Sequence, residues 1–541
     1  MNLVTEKWVP VVRMDGKPDF ASLMQIFAEG DTFADLSVRP HERVALMRLL
    51  ICIVQAALDG PKGKDEWKTA PDKLPAASKK YLEQWKGSFE LFDKDKPFLQ
   101  IVGLSVKEKR AKSNVKTKIK NKVKVTGKVD SPDLLTPISK LDIALATGNK
   151  STLFDHYAGI DSERILDEKQ IAIGLITYQN FSASGRIGIV IWDRVESPGK
   201  GASFPAPGID KLMLHTFLRG KNILHTIALN LLTKDIAARH YGKSDVWGRP
   251  VWEMFPHGYS DDDALNNATR TYLGRLVPIS RSIKIRRKEQ DMILANGFKY
   301  PLSAESFYET SATIKISRNK RIMLKVSSNA IWRELSAITV RNISDNSGAR
   351  GPRALENLPN GDFDIWCGGI EWNVNGGYIN SAESVYTISS KMLTEEGRLL
   401  YEDSVRDAEV LSKKVGRAVE EYRKNIDGFW EARVDPKKNK DAFKIEYALH
   451  AKVTRAYWTA VEKQRYLLTA CVDAFGTDGL EPARQVWGKA LHKAARDAYT
   501  VACGQETPRQ IRAFALGWKK LFAEKKAVDV NEEQNTDGGE E

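Results

Sequence analysis

The sequence has 541 residues, of which 42% are hydrophobic and 28% charged, as is usual for a globular protein large enough to hold two or three domains. Its formal net charge is +13 although residues 528–541 are acidic, which favours a polyanionic partner such as nucleic acid; a basic protein without such a partner is the alternative. The four cysteines form no CxxC pair, which argues against a disulfide scaffold and against a cysteine zinc site.

The N-terminal residues do not resemble a secretory signal, because Glu6 and Trp8 precede any apolar run. The most apolar helical stretch, around residues 44–58, contains Arg48 and is too short to cross a bilayer. We therefore expect a soluble cytoplasmic protein without a membrane partner.

The first 380 residues mix helical and strand patterns. Residues 8–20 predict a hairpin that turns at Asp15-Gly16, and Ser22 with Gln25 predicts the capped start of a helix that ends at Gly30. A second helix is predicted over residues 41–58. Short β-rich runs at 187–192, 312–316 and 322–326 alternate with helices, which indicates an α+β domain over residues 1–380.

A basic insertion at residues 105–130 is the strongest charge signal in the chain. Between residues 107 and 128 nine lysines and one arginine accompany a single acid, Glu108. If the segment is extended, its alternating lysines share one face at the spacing of a strand and would contact a DNA backbone. The alternative is a solvated loop. The lysines of this alternating run are Lys116, Lys118, Lys120, Lys122 and Lys124.

Residues 149–188 combine an aromatic–acid–histidine loop with an amphipathic helix. Asp167 and Gln170 predict the start of that helix, and Ile171 and Leu175 follow at helical spacing. A general-base pair of Asp155 with His156 is disfavoured, because adjacent side chains point apart and no nucleophile accompanies them. Packing of Phe154 in the core remains an alternative.

After residue 381 glycine and proline become rare and long helical patterns dominate. Four apolar stripes predict a four-helix bundle over residues 381–527, followed by an acidic disordered tail at 528–541. The last helix is predicted to begin at Thr507-Pro508 and to bury its stripe of Ile511, Phe514, Ala515 and Trp518.

Catalytic motifs are missing from the sequence. Residues 148–152, GNKST, lack the first glycine and the GK pair of a phosphate-binding loop, and no HExxH, GxSxG or GxGxxG motif occurs. We therefore expect a protein that is not an enzyme and that uses no cofactor and no metal. A metal-dependent nuclease whose carboxylates lie far apart in sequence remains an alternative.

The loop and helix at residues 149–188 resemble those of the CasA family, the large subunit of the type I-E CRISPR surveillance complex Cascade. Members carry an asparagine shortly before LFDH, then such a helix, then a Q-x-F turn, and this chain has NKSTLFDH and QNF at the matching places. The resemblance implies a mixed N-terminal domain, a C-terminal four-helix bundle and a non-catalytic subunit that reads the protospacer-adjacent motif in duplex DNA. It also implies strand opening, R-loop formation and recruitment of a helicase–nuclease. The implied partners are target DNA, CRISPR guide RNA, and the Cascade backbone and small subunits.

The resemblance also implies three DNA-contacting elements. A glycine loop ahead of a helix at residues 216–232 corresponds to Gly199, Lys200 and Gly201; an ordinary flexible loop is the alternative. A lysine finger after the strand-like LVPISRSIKI corresponds to Lys288, with Lys299 as the alternative. A wedge corresponds to Arg350 and Arg353, with Ala354 beside them; an ordinary turn is the alternative there.

The loop before residue 160 is implied to dock on the backbone subunits near the guide RNA. Its residues are Asn149, Lys150, Phe154, Asp155 and His156. The competing functions are the nuclease already mentioned and an RNA-binding scaffold that does not contact duplex DNA.

Overall fold

The computed structural model describes residues 1–106, 135–143, 165–242, 246–305, 307–317, 320–326, 330–341, 348–373, 377–427 and 440–522. The chain forms two compact units, Met1–Ser390 and Lys391–Glu541. The expected boundary at residue 380 lies within a strand that continues to Ile388, and the first unit extends ten residues further, to Ser390.

The strands of the first unit have 2 to 6 residues, except the last two, which have 11 and 12. They are β1 (Val9–Arg13), β2 (Pro18–Ala21), β3 (Phe33–Leu36), β4 (Ser105–Val106), β5 (Leu135–Pro137), β6 (Val190–Trp192), β7 (Val195–Glu196), β8 (His215–Arg219), β9 (Arg281–Arg286), β10 (Asp291–Asn296), β11 (Ile314–Ser317), β12 (Lys320–Met323), β13 (Ala349–Arg350), β14 (Phe363–Asn373) and β15 (Gly377–Ile388). Within the described residues they form three-stranded sheets in the orders β2-β1-β3, β4-β6-β7, β5-β10-β9, β12-β11-β13 and β15-β14-β8. Each pairing is antiparallel.

The helices of this unit are α1 (Leu23–Glu29), α2 (Pro40–Leu58), α3 (Lys64–Trp85), α4 (Glu168–Phe181), α5 (Ile223–Leu229), α6 (Lys234–Tyr241), α7 (Asp262–Arg270), α8 (Tyr272–Leu276) and α9 (Leu335–Ile338). Helix α2 is buried from Pro40 to Gln55 and packs against α3, α4, α8 and β14. Residues 44–54 of this helix are apolar apart from Arg48, and a helix that is apolar on nearly every side has to be enclosed in this way. Helix α2 is therefore the centre of the core.

A buried ionic triad crosses this core. Glu309 accepts from Arg48 Nη1 and from Arg275 Nη2, both at 2.6 Å, and all three side chains are almost fully buried. Burial alone would raise the pKa of Glu309, but the two guanidinium groups outweigh it and lower that pKa to about 2. The carboxylate is therefore ionised, and it neutralises the arginine that the sequence places inside an apolar helix.

The local sequence signals of this unit are confirmed. Gly16 adopts φ +83° in the β1–β2 turn, and both capping boxes form, at Ser22 with Gln25 and at Asp167 with Gln170. The expected helix over residues 216–232 is only partly present, because its first residues belong to β8, which pairs with β14. The helical part is confined to α5.

The second unit contains α10 (Glu395–Asp427), α11 (Lys440–Lys463), α12 (Arg465–Asp473), α13 (Leu480–Ala502) and α14 (Pro508–Phe522). The chain breaks helical geometry at Gln464, which separates α11 from α12. Cross-helix hydrogen bonds join Tyr457 Oη to the Ala408 carbonyl at 2.8 Å and Trp487 Nε1 to the Ser404 carbonyl at 3.2 Å. The α+β fold with C-terminal helices is confirmed.

The apolar stripe predicted for α14 is wrong in its rotation about the helix axis. Ile511 is 55% exposed, whereas Ala513, Gly517 and Leu521 are buried. A Cβ at residue 517 would lie 2.6 Å from the carbonyl oxygen of Ala418 in α10, so only glycine allows this approach. Phe514 and Trp518 are half-buried beside Tyr499, so the predicted stripe is rotated towards solvent and only part of it reaches the bundle.

No helix among the described residues is both long enough and apolar enough to cross a membrane. The four cysteines are unpaired and buried.

Candidate nucleic-acid interface

The glycine loop, residues 198–202, has an unusual backbone. Gly199, Lys200 and Gly201 all adopt positive φ, at +88°, +49° and +88°. The amide of Ala202 donates to the carbonyl of Gly199 at 2.9 Å, and Gly201 accepts from Ile187 at 3.0 Å. Two glycines make this conformation accessible, and it leaves the side chain of Lys200 exposed at the turn.

Asn296, at the end of β10, holds this loop from beneath. Its side chain is fully buried, and its amide nitrogen donates to the carbonyls of Pro198 at 2.8 Å and Ala202 at 2.7 Å. Its Oδ1 accepts from the Phe204 amide at 3.3 Å. One side chain thus closes both ends of the turn, and the loop is fixed before any ligand arrives.

Sequence reasoning missed Asn296. In sequence, Asn296-Gly297 is a common turn pair, and nothing there points to a loop almost 100 positions away.

The two lysine-finger candidates lie at opposite ends of one hairpin. Lys288 is exposed in the β9–β10 turn, whereas Asn296 and the glycine loop are at the other end of β10. A strand of this length spans roughly 20 Å. Lys288 is therefore remote from the loop that it was predicted to assist.

Lys299 lies beside the glycine loop. Its side chain is 63% exposed, and its ammonium nitrogen is 5.8 Å from the centroid of the Phe204 ring and 3.9 Å from Glu305. The same ring would be 3.2 Å from a Cβ at Gly199. The geometry therefore favours Lys299, the alternative from the sequence, over Lys288.

The described ends of the basic insertion are fixed on neighbouring sheets. Val106 in β4 pairs with Val190 in β6, and Leu135 in β5 pairs with Ile293 in β10. Strand β6 leads through β7 into the glycine loop, and β10 carries Asn296. The expected backbone-binding lysines lie outside the described residues, namely Lys116, Lys118, Lys120, Lys122 and Lys124.

The docking loop also lies outside the described residues, including Asn149, Lys150, Phe154, Asp155 and His156. On its N-terminal side, Asp142 pairs with Arg39 at 2.8 Å. On its C-terminal side, Asp167 caps α4.

Arg353, one of the two expected wedge residues, has a buried side chain. Only 1% of the residue is exposed; Nη1 pairs with Glu356 at 2.6 Å and Nη2 donates to the Gly351 carbonyl at 2.7 Å. Ala354 is buried as well. In this position Arg353 stabilises its own turn and does not project from the surface.

Arg350 is in a different state. It is half-buried on β13, opposite Ile314 of β11, and its guanidinium makes no hydrogen bond or ion pair with any residue that the structure describes. Burial and the nearby charge of Arg321 lower its pKa, against the opposing effect of Glu356. An arginine that has no acceptor among the described residues is a suitable ligand for phosphate or for a base edge.

The described residues give little support to a catalytic centre. They contain no group of three His, Cys, Asp or Glu side chains able to hold a metal ion. His215 shares a 2.8 Å hydrogen bond with Ser311, but its ring is fully buried and burial lowers its pKa to about 4. A substrate would have no access to this pair.

Comparison with known proteins gives a consistent result. The family model described as CRISPR-associated protein Cse1 matches residues 2–498. A CRISPR-associated protein CasA/Cse1 from Thermus thermophilus is 24% identical over 529 residues, covering 92% of this chain and 91% of that protein.

Solved structures agree on the fold. The crystal structure of CasA from Thermus thermophilus superimposes with a TM-score of 0.71 at 18% identity, covering 96% of this chain and 98% of that one. A chain of a CRISPR RNA-guided surveillance complex gives a TM-score of 0.67 at 14% identity, with 97% and 99% covered.

Proposed function

The chain belongs to the CRISPR-associated Cse1 family, and on that premise we propose that it is the DNA-recognition subunit of an RNA-guided surveillance complex. It acts in the cytoplasm beside the backbone and small subunits and close to the guide RNA. It reads a protospacer-adjacent motif in duplex DNA, promotes strand opening and R-loop formation, and recruits a helicase–nuclease. It is not itself an enzyme.

The conformation of the glycine loop is the observation that carries this proposal. A groove-reading loop needs a backbone that approaches base edges closely and a cation that neutralises phosphate. Gly199 and Gly201 provide the first, and Lys200 provides the second. Because Asn296 fixes the turn in advance, binding costs little ordering entropy.

Lys299 supports motif reading from beside the loop, as a lysine finger would. The expected role of Lys288 reduces to a backbone contact at the far end of the hairpin.

Arg350 is the remaining wedge candidate, since its guanidinium makes no hydrogen bond or ion pair with a described residue and is only half-buried. The lysines of the basic insertion contribute backbone contacts that are independent of sequence. Their attachment through β4 and β5 to the sheets around the glycine loop supports this location.

Target binding by the guide-loaded complex tests the function. Binding is measured with and without this chain on duplexes that carry a randomised flanking motif. Enrichment of a short motif only in the presence of the chain is expected. Equal, motif-independent binding in both cases would contradict the proposal and favour a scaffold.

The variant Gly199→Ala tests whether the glycine loop is responsible for motif selection. A Cβ there meets the Ala202 carbonyl at 2.3 Å, so motif selection should be lost. Gly16→Ala is the matched control, since Gly16 also has positive φ but has nothing within 4 Å of its added Cβ. Loss of selection in both variants would mean that general destabilisation, and not the loop, is responsible.

A further inference from the structure

Helix α14 presents a positively charged face beside its bundle contacts. Ala513, Gly517 and Leu521 are buried, and α14 packs against α10. At 3.6 residues per turn, four exposed cations lie within about 100° of one another around the helix, beside the buried stripe, over roughly 16 Å of its axis. We name Arg509, Arg512, Lys519 and Lys520 the α14 basic face.

The positive charge of the α14 basic face is not neutralised by acidic side chains of the described residues. Helix α14 contains no acidic residue, and none of the four cations forms an ion pair with a described residue. Elsewhere in the same unit exposed cations do have partners: Arg406 pairs with Asp403 at 2.8 Å and Lys424 with Glu420 at 3.8 Å. Uncompensated positive charge on one face favours a polyanion.

Helix stability does not explain the whole arrangement. Lys519 and Lys520 lie in the last turn, where the helix dipole favours cations, but Arg509 lies in the first turn, where it disfavours them. Arg509 therefore stands where a cation weakens its own helix. A ligand that contacts the whole face accounts for all four positions together.

Apolar side chains on the same surface indicate the kind of polyanion. Leu516 lies between the cations and is 37% exposed, and Ile511 borders them at 55%. A DNA duplex offers phosphates but keeps its bases stacked inside, whereas a single strand also presents base faces that contact apolar groups.

We propose that the α14 basic face binds single-stranded nucleic acid. This site belongs to the helical unit and does not depend on motif recognition by the glycine loop. Gly517 approaches the backbone of Ala418 in α10 closely. This contact holds α14 in place, so the cations keep a constant orientation.

Fluorescence anisotropy on the full chain tests the proposal. The probe is a labelled oligothymidine of about 30 nucleotides, titrated across a range of salt concentrations. The variant R509Q/R512Q/K519Q/K520Q should bind about tenfold more weakly at low salt, and its salt slope should fall by about 0.7 for each lost phosphate contact.

Two further variants test whether a loss of oligonucleotide binding comes from the α14 basic face itself, from the lower net charge or from misfolding. The variant K64Q/K68Q/K73Q/K79Q removes four exposed lysines from α3, which also carries Asp65, Glu66, Asp72 and Glu83; its binding should change little. R509K/R512K keeps the charge and should retain binding. Unchanged binding of the α14 variant, an equal loss in the α3 variant, or an equal loss on a duplex of the same length would overturn the proposal.

Discussion

A Cβ at Gly199 would lie 2.6 Å from the side-chain amide nitrogen of Asn296. The glycine and the asparagine are therefore mutually dependent: Asn296 can bridge Pro198 and Ala202 only because residue 199 has no side chain. This pair joins a loop to a strand almost 100 positions later and sets the shape of the surface proposed to meet DNA.

Replacing Asn296 with alanine should disorder the glycine loop while leaving its sequence intact. The carbonyls of Pro198 and Ala202 would lose their donor, so the free energy of unfolding should fall by about 1–3 kcal/mol. Motif selection by the guide-loaded complex should weaken even though Lys200 is retained. Asn296→Asp, which removes the donors at similar volume, should act alike; full motif selection in both variants would refute the role of Asn296.

Lys299→Ala should reduce binding to motif-bearing duplexes, because this ammonium lies beside the loop. Lys288→Ala removes an equally exposed charge at the far end of the hairpin and should leave motif preference unchanged. Competition between motif-bearing and scrambled duplexes measures the difference. The reverse order of effects would restore Lys288 as the finger.

Arg353→Ala should destabilise the first unit, whereas Arg350→Ala should impair strand opening with little change in stability. The first change removes a buried partner of Glu356 and a donor to Gly351; because Arg239 still pairs with Glu356 at 2.9 Å, the loss should be about 2 kcal/mol. Thermal unfolding and 2-aminopurine fluorescence at the first target base pairs separate the two effects. A stable Arg353→Ala protein that binds duplex normally but fails to open it would reinstate Arg353 as a wedge.

Glu309 should make the first unit sensitive to acid. Its folded pKa of about 2 lies below its ordinary value of 4.5, so its contribution is complete above pH 4.5 and is lost as pH falls towards 2. The difference corresponds to about 3 kcal/mol. Urea unfolding between pH 5 and 3 should show this decline. Glu309→Gln should be less stable at every pH in that range, because it strands two buried arginines, and should have a flatter pH profile; an unchanged profile would contradict the assignment.

The parts of the fold that sequence could predict are those set by neighbouring residues. The Asp15-Gly16 turn and the two capping boxes depend on side chains within three positions of each other, and they form as expected. Other features depend on partners that tertiary packing brings together. These are the hydrogen bonds of Asn296 to the glycine loop, the burial of Arg353 and the close packing of α14 on α10. The buried side of α14 was predicted wrongly because two helices that pack closely select small residues at their contact. A pattern based on hydrophobicity ignores such residues.

The pairing of β4 with β6 and of β5 with β10 has an evolutionary consequence. Strands β4 and β5, which flank the basic insertion, are each paired within a separate sheet. The insertion can therefore gain or lose residues without shifting the register of either sheet. The number of charged residues in the basic insertion can thus change independently of the glycine-loop geometry that Asn296 maintains. Two members of the family could therefore differ in the length and charge of this stretch and still share the same glycine-loop geometry.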